Sequence, residues 1–263
     1  MNSPAKREPD RKPTVMLFSI ALNGYQWHYR SLLKSHEAYA EIHGYRHVSV
    51  TKPSMSKLGL EVAWLKISLI IEALKAGYEW VMFLDADTLV SKTTPSIENI
   101  AKKDKDIYVC RGFSGRLNSG VLIIKNTPNS LEFFDTVLKN ALQPIPFEDD
   151  VGWGENGHLI HFAKRYTCFY FLDARWNNNQ DPALNDFIRH FSRGPMYHLF
   201  KPKLIDYLLG RLCHYALALG RRVFKINKAD SALSDARLAS DFHLYIENLT
   251  QKVLANYPSF LES

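Results

Sequence analysis

The stretch Glu79-Trp80-Val81-Met82-Phe83-Leu84-Asp85-Ala86-Asp87-Thr88-Leu89-Val90 decides how this chain is read. Residues 80–84 are apolar throughout, as a strand covered on both faces must be. Two aspartates follow at once. On an extended backbone, side chains two apart point the same way, so both carboxylates address one site. That site lies beyond the end of a buried strand, where open α/β sheets bind their ligands. Two carboxylates this close repel each other and raise one pKa. A divalent cation removes that cost: Mg²⁺ or Mn²⁺ takes one or two protein carboxylates and fills its other positions with water and substrate phosphates. Asp85 and Asp87 could instead simply cap the strand, but their place between residues 81–84 and 88–90 favours the metal.

Outward from this stretch, short apolar runs alternate with helix-period segments, the pattern of a doubly wound α/β sandwich. Strands are expected at 15–20, 46–50, 80–84, 107–110, 121–124 and 168–172. Helices are expected at 26–43, ended by Gly44, and at 58–76, closed by Gly77, where Trp64, Ile67, Ile71 and Leu74 share a face. Two more are expected at 131–142 and 157–164. After Pro202 the texture changes. Residues 204–224 form a basic helical segment with an apolar stripe of Tyr207, Leu208, Leu212, Tyr215 and Leu219, and 241–256 a last amphipathic helix. The expected organisation is a basic tail over 1–13, a catalytic α/β domain over 14–202 and a helical C-terminal extension over 203–263.

The 263 residues, 46% apolar and 23% charged, suffice for one substantial core. Three distant cysteines (Cys110, Cys168, Cys213) make neither a zinc cluster nor a disulfide framework, so a reducing compartment is expected. The net charge of +6 gathers in Lys6, Arg7, Arg11 and Lys12 and again in Arg211, Arg221, Arg222, Lys225 and Lys228. It suits diphosphate-bearing ligands or an anionic membrane. Nucleic acid is not expected, since no helix-turn-helix, zinc-finger or RNP pattern accompanies the charge. No run reaches the roughly 18–20 apolar residues of a membrane span, and residues 1–13 lack the apolar core of a signal peptide. A cytoplasmic location, peripheral at a membrane, is the expectation.

Glu79 to Val90 resembles the Asp-x-Asp strand of GT-A glycosyltransferases. It is most similar to the galactosyl- and mannosyltransferase family that includes plant xyloglucan xylosyltransferases and fungal Golgi α-transferases, and more distantly to glycogenin-like enzymes. Three further stretches agree in order: Tyr39-Ala40-Glu41-Ile42-His43-Gly44-Tyr45, Trp64-Leu65-Lys66-Ile67 and Asn118-Ser119-Gly120-Val121. The resemblance spans about residues 14–200. It implies the GT-A fold, a UDP- or GDP-linked sugar donor, a glycan, glycolipid or protein acceptor, Mn²⁺ or Mg²⁺, and retention of anomeric configuration. It assigns the Asp85-Ala86-Asp87 triplet to the donor and the metal, with Asp85 touching the ribose or the cation. It brings the Asn118, Ser119 and Gly120 backbone to the transferred sugar. Glu155-Asn156-Gly157 looks like the family's (Asp/Glu)-Gln-Gly/Ser element, with Asn156 in place of the usual Gln, so that either Glu155 or Asp150 takes the acceptor-side role. His198 resembles the late histidine that completes the metal shell, and Lys201-Pro202 a pyrophosphate-contacting pair.

Other residues carry two readings each. Lys66 has apolar helical neighbours (Val62, Ala63, Leu69, Ile70), so its ammonium snorkels or meets an anion, either the donor diphosphate or the aspartates. Tyr25, in the first βα loop, is placed to stack on the base, although Asn23-Gly24 is also a common turn. Trp176, in Arg175-Trp176-Asn177-Asn178-Asn179, stacks on a sugar or packs in the core. His158 and His161 lack a third ligand at suitable spacing and read as structural. The basic stripe after Pro202 docks on anionic lipid or faces water. Two rival functions stand beside transfer: a sugar-nucleotide nucleotidyltransferase, which the absence of a Gly-rich signature in Ser19-Ile20-Ala21-Leu22-Asn23-Gly24 disfavours, and a non-catalytic carbohydrate- or membrane-binding protein, which the intact aspartates disfavour.

Overall fold

The computed structural model describes residues 13–54, 60–152, 154–223 and 238–263. The first strand, β1 (Val15–Ile20), is followed by α1 (Tyr25–His28), α2 (Arg30–His43) and β2 (Arg46–Val50). Gly44 ends α2 in the left-handed region, with φ 62°. Then come α3 (Leu60–Lys75), β3 (Trp80–Leu84), the short β4 (Thr88–Val90), β5 (Ile107–Arg111) and β6 (Leu117–Lys125). The chain continues through α4 (Pro128–Lys139), α5 (Asn156–Ala163), β7 (Phe169–Phe171), β8 (Ile188–His190), α6 (Leu204–Val223) and α7 (Leu238–Asn256). The α4 start is set by local chemistry: Pro128 stands in its first turn, and the Thr127 and Ser130 hydroxyls cap each other's backbone.

Six strands form one mixed sheet in the order β2-β1-β3-β6-β5-β7. β1 runs parallel to β2 and β3, β6 runs antiparallel to β3 and β5, and β7 returns parallel to β5. Both faces are covered, which explains the unbroken apolar runs. Along β3, Val81 and Phe83 enter one core with Trp64, Ile67 and Ile71 of α3, while Trp80, Met82 and Leu84 enter the other with Tyr39, Tyr108 and Trp176. This is the doubly wound α/β arrangement expected. A separate two-stranded pairing, β4 with β8, sits beside the aspartates.

The expected boundary at residue 202 is not a packing boundary for the last helix. Phe242, Ile246, Leu249 and Val253 of α7 lie in the same core as Phe18 and Trp64, and Phe260 meets the Phe18 ring edge-on at 5.3 Å. The reason is the apolar face of α3, which needs a second cover on its far side. Only α6 stands off that core, packing instead on α1.

Candidate active site

β3 ends at Leu84, and Asp85 begins a tight turn held on both sides. Its N–H donates to the Gly120 carbonyl (2.8 Å), and its own carbonyl accepts from the Thr88 N–H (3.1 Å) and hydroxyl (2.8 Å). Beneath the turn lies His36, wholly buried. Its Nε2 donates to the Thr88 carbonyl (2.8 Å), which can only accept, so Nδ1 accepts from the Ser19 hydroxyl (2.8 Å). Burial pushes the His36 pKa down to about 3, so the ring is a neutral strut joining α2, β1 and the aspartate turn.

Ligand atoms of Asp85, Asp87 and His190 lie within 4.8 Å of one another, the one such group among the described residues. The His190 Nε2 is 3.2 Å from Asp87 Oδ1 and 3.7 Å from Asp85 Oδ2. This corrects the expected ligand: His190 joins the aspartates, whereas His198 is exposed on the short turn Tyr197–Leu199 with its ring against Tyr197. The physical reason is register. Thr88 pairs with His190 across β4 and β8, and the Phe191 N–H donates to the Asp87 carbonyl (2.9 Å), which locks the imidazole beside the pair.

A chain of amides fixes the His190 tautomer. The Gly120 N–H (3.0 Å) and Asn177 Nδ2 (2.9 Å) both donate to Asn118 Oδ1, which turns Asn177 Oδ1 to His190 Nδ1 (2.9 Å). Nδ1 therefore donates, the outer-shell arrangement that metal-ligating histidines use. Nε2 faces Asp87, whose charge, against the opposing effect of burial, raises the His190 pKa, and a cation in the site would take the place of the Nε2 proton. Gly120 makes room for the ring: a Cβ there would stand 2.1 Å from His190 Cε1. With that proton displaced, two carboxylates and one imidazole would make a hard, mixed O/N donor set that fits Mn²⁺ or Mg²⁺.

Charge around the pair is unbalanced. Burial and repulsion from Asp87 raise the Asp85 pKa against the pull of Lys66. Burial would also raise Asp87, but the positive charge and Nε2–H of the His190 imidazolium override it and hold Asp87 low. Lys66 does reach an anion, and its main partner is Glu155, in direct contact with its ammonium; Asp85 is farther, at 3.9 Å. Lys66 and Glu155 are both buried, with side chains 6% and 3% exposed, and Ser119 Oγ donates to Glu155 (2.7 Å). Since Glu155 consumes the lysine charge, the aspartates keep a net negative charge for a cation to neutralise.

The remaining expected residues are distributed as follows. Asn118, Ser119 and Gly120 approach the site from the start of β6, and Asn156 accepts from the Ser119 N–H (2.9 Å) and donates to the Leu117 carbonyl (3.1 Å). Ala86 is buried with Ala21 and Leu33 behind the aspartates. Asp150 is exposed and accepts only from the Gly152 N–H among its side-chain bonds described, so Glu155 is the carboxylate brought to the site. Tyr25 is half exposed on α1, its ring 5.6 Å from Tyr29, and Lys201 is exposed on the segment entering α6. Trp176 is buried against Phe187, which settles it as packing. His158 bonds the Gln143 carbonyl and His161 bonds Asp149, both inside the fold.

His190 and Tyr29 escaped the sequence reading, and Asn177 entered it only as part of 175–179, a stretch that resembles an acceptor-side loop of the family. Tyr29, whose pKa is raised by burial and then by Asp87, packs against Ala86 and meets the Phe200 ring at 5.5 Å. The signal that pointed to His190 is the alternation Phe187-Ile188-Arg189-His190-Phe191, a strand pattern too short to stand out.

Such a sheet, with paired aspartates at its carboxyl end and a histidine returning beside them, has the GT-A-like arrangement. Residues 10–107 match the model of the galactosyl transferase GMA12/MNN10 family, and the chain is a glycosyltransferase similar to that family. The fold is similar to that of a glycosyltransferase involved in the glycosylation of the major capsid of PBCV-1, at 14% identity and a TM-score of 0.57, covering 75% of this chain and 98% of that one. The glycosyltransferase GlyE of Streptococcus pneumoniae TIGR4 also aligns, at 13% identity and a TM-score of 0.48, covering 82% of this chain and 64% of that one. No curated protein matches the chain.

The ligand assignment has a direct check. His190→Ala is expected to weaken Mn²⁺ binding by about 10–100-fold or more, and His198→Ala to leave it unchanged, by calorimetric titration. Equal losses in the two variants would reverse the assignment.

Proposed function

We propose that the chain transfers a hexose or pentose from a nucleoside diphosphate sugar, UDP- or GDP-linked, to a hydroxyl of a glycan, glycolipid or protein acceptor. The transfer depends on Mn²⁺ or Mg²⁺ and retains anomeric configuration. The carrying observation is the Asp85, Asp87 and His190 cluster, with carboxylate charge that Lys66 does not cancel. Asp87 and His190 would hold the cation, and Asp85 would reach it or the ribose. A bound dication would supply positive charge to the departing diphosphate. Asn118, Ser119 and Gly120 present backbone and small side chains where the donor sugar would lie, and Gly120 keeps that approach open.

Retention is supported by Glu155. An inverting transfer needs a carboxylate ready to take the acceptor proton, but Glu155 is buried and occupied by Lys66 and Ser119. The reading extends to a cytoplasmic enzyme whose C-terminal segment touches an anionic membrane, supported by the free thiols of Cys110 and Cys168 and the basic run after Pro202. A thermal-shift series of UDP- and GDP-sugars should show stabilisation that appears with Mn²⁺ and disappears with chelator. NMR of the product should show the donor's own anomeric configuration. Metal-independent stabilisation, or an inverted linkage, would remove the corresponding part of the reading.

A further inference from the structure

Two amphipathic helices follow Pro202, and the structure separates their fates. α7 turns its apolar face into the core against α3. α6 leaves its own in the open. At 3.6 residues per turn, Leu204, Leu208, Leu212, Tyr215 and Leu219 fall on one side, and Asp206, Gly210, Cys213 and Leu217 on the other. The second side packs on α1, where a Cβ on Gly24 would lie 2.8 Å from the Gly210 carbonyl, and where Arg30 reaches the buried Asp206 (3.6 Å). The first side is bare: Leu204 is 73% exposed, Leu212 65% and Leu219 62%. A continuous row of large apolar side chains along a 20-residue helix, about 30 Å of it, is the kind of patch that marks an interaction surface.

Charge selects the occupant. Lys201, Lys203 and Arg211 are exposed on and just before α6, and the only acid of this segment is Asp206; over residues 201–228 the sequence counts seven Lys and Arg against that single acid. Asp206 is turned inward to Arg30. Two copies brought together through this face would oppose each other's charge, whereas an anionic bilayer accepts the apolar row and attracts the basic residues at once.

We propose that α6 lies in the interfacial plane of an anionic membrane and that the enzyme takes its acceptor from a lipid carrier there. The acceptor part rests on the transferase reading; the docking part does not. The link between them is short. α1, on which α6 packs, runs directly into Tyr29, which packs with Ala86 between the aspartates, and Phe200 meets the rings of both Tyr29 and His28 just before α6 begins. Docking therefore sets the aspartate site near the membrane surface.

Flotation of the full chain with vesicles tests this. It should rise with phosphatidylcholine vesicles containing phosphatidylglycerol, stay behind with phosphatidylcholine alone, and detach as salt increases. The Leu208→Glu/Leu212→Glu variant, altered only at exposed positions, should melt like the wild type and lose at least tenfold in bound fraction. Its hydrolysis of donor sugar with water as acceptor should stay unchanged. Binding that ignores lipid charge, or an unimpaired double variant, overturns the proposal. So does a wild-type dimer that the double variant converts to monomer. Loss of donor hydrolysis in the wild type, with flotation intact, would instead refute the transferase reading and leave the docking surface standing.

Discussion

Asp87→Asn is expected to abolish turnover to within detection, about 10³-fold or more, and to remove Mn²⁺-dependent nucleotide binding. The substitution keeps the shape of the side chain and its contact with His190, so folding should survive; what it removes is one negative charge. A metal site that supplies several kcal/mol at the transition state loses about tenfold in rate for every 1.36 kcal/mol forfeited. The measurement is sugar transfer or donor hydrolysis at saturating Mn²⁺, paired with a nucleotide titration. Wild-type turnover in this variant would end the assignment of Asp87, and with it the metal centre.

The second large effect falls on stability. Lys66→Met leaves Glu155 buried with only the Ser119 hydroxyl for company, and breaking one side of a buried pair typically costs about 3–5 kcal/mol. At about 2–4 °C per kcal/mol in chains of roughly this size, the melting temperature should fall by about 10 °C. Lys66→Met/Glu155→Gln should recover much of that loss, because the orphaned charge is gone. The cycle of wild type, two single variants and the double separates the pair from its surroundings. A Lys66→Met protein that melts with the wild type would mean that the ammonium and carboxylate are not mutually dependent.

The sheet was readable because its central strands are buried on both faces. Residues 15–20 and 80–84 are almost wholly apolar runs, and the structure places β1 and β3 at those same bounds, while the edge strand β2, at 46–50, alternates Val48 and Val50 with polar residues. β4 and β8 were not readable as strands. Each is three residues long and carries a polar or charged side chain, Thr88 in one and Arg189 and His190 in the other. Their pairing depends on a contact between residues about a hundred positions apart, which no local period encodes. That pairing also decides which of ten histidines faces the aspartates. Resemblance to a late histidine and position relative to the Asp-x-Asp motif favoured His198, whereas cross-strand register selects His190. Lys66 was legible as a cation in an apolar setting. Its partner was not, because Glu155 arrives from a loop whose course is set by α4 and α5 rather than by its own residues.

The seating of the last segment against the first strand has a consequence for how the molecule comes into being. Phe260 rests on Phe18, the Tyr78 hydroxyl donates to the Ser259 carbonyl, and the Tyr257 hydroxyl receives the Thr51 N–H at the exit of β2. During translation β1 and α3 emerge well before α7 and Phe260, which close over them. A growing polypeptide must therefore carry Trp64 and its neighbours uncovered until α7 has been made, the condition in which nascent chains recruit chaperones or stick to one another. Release of a chain stopped before residue 241 should yield aggregate rather than a smaller working enzyme.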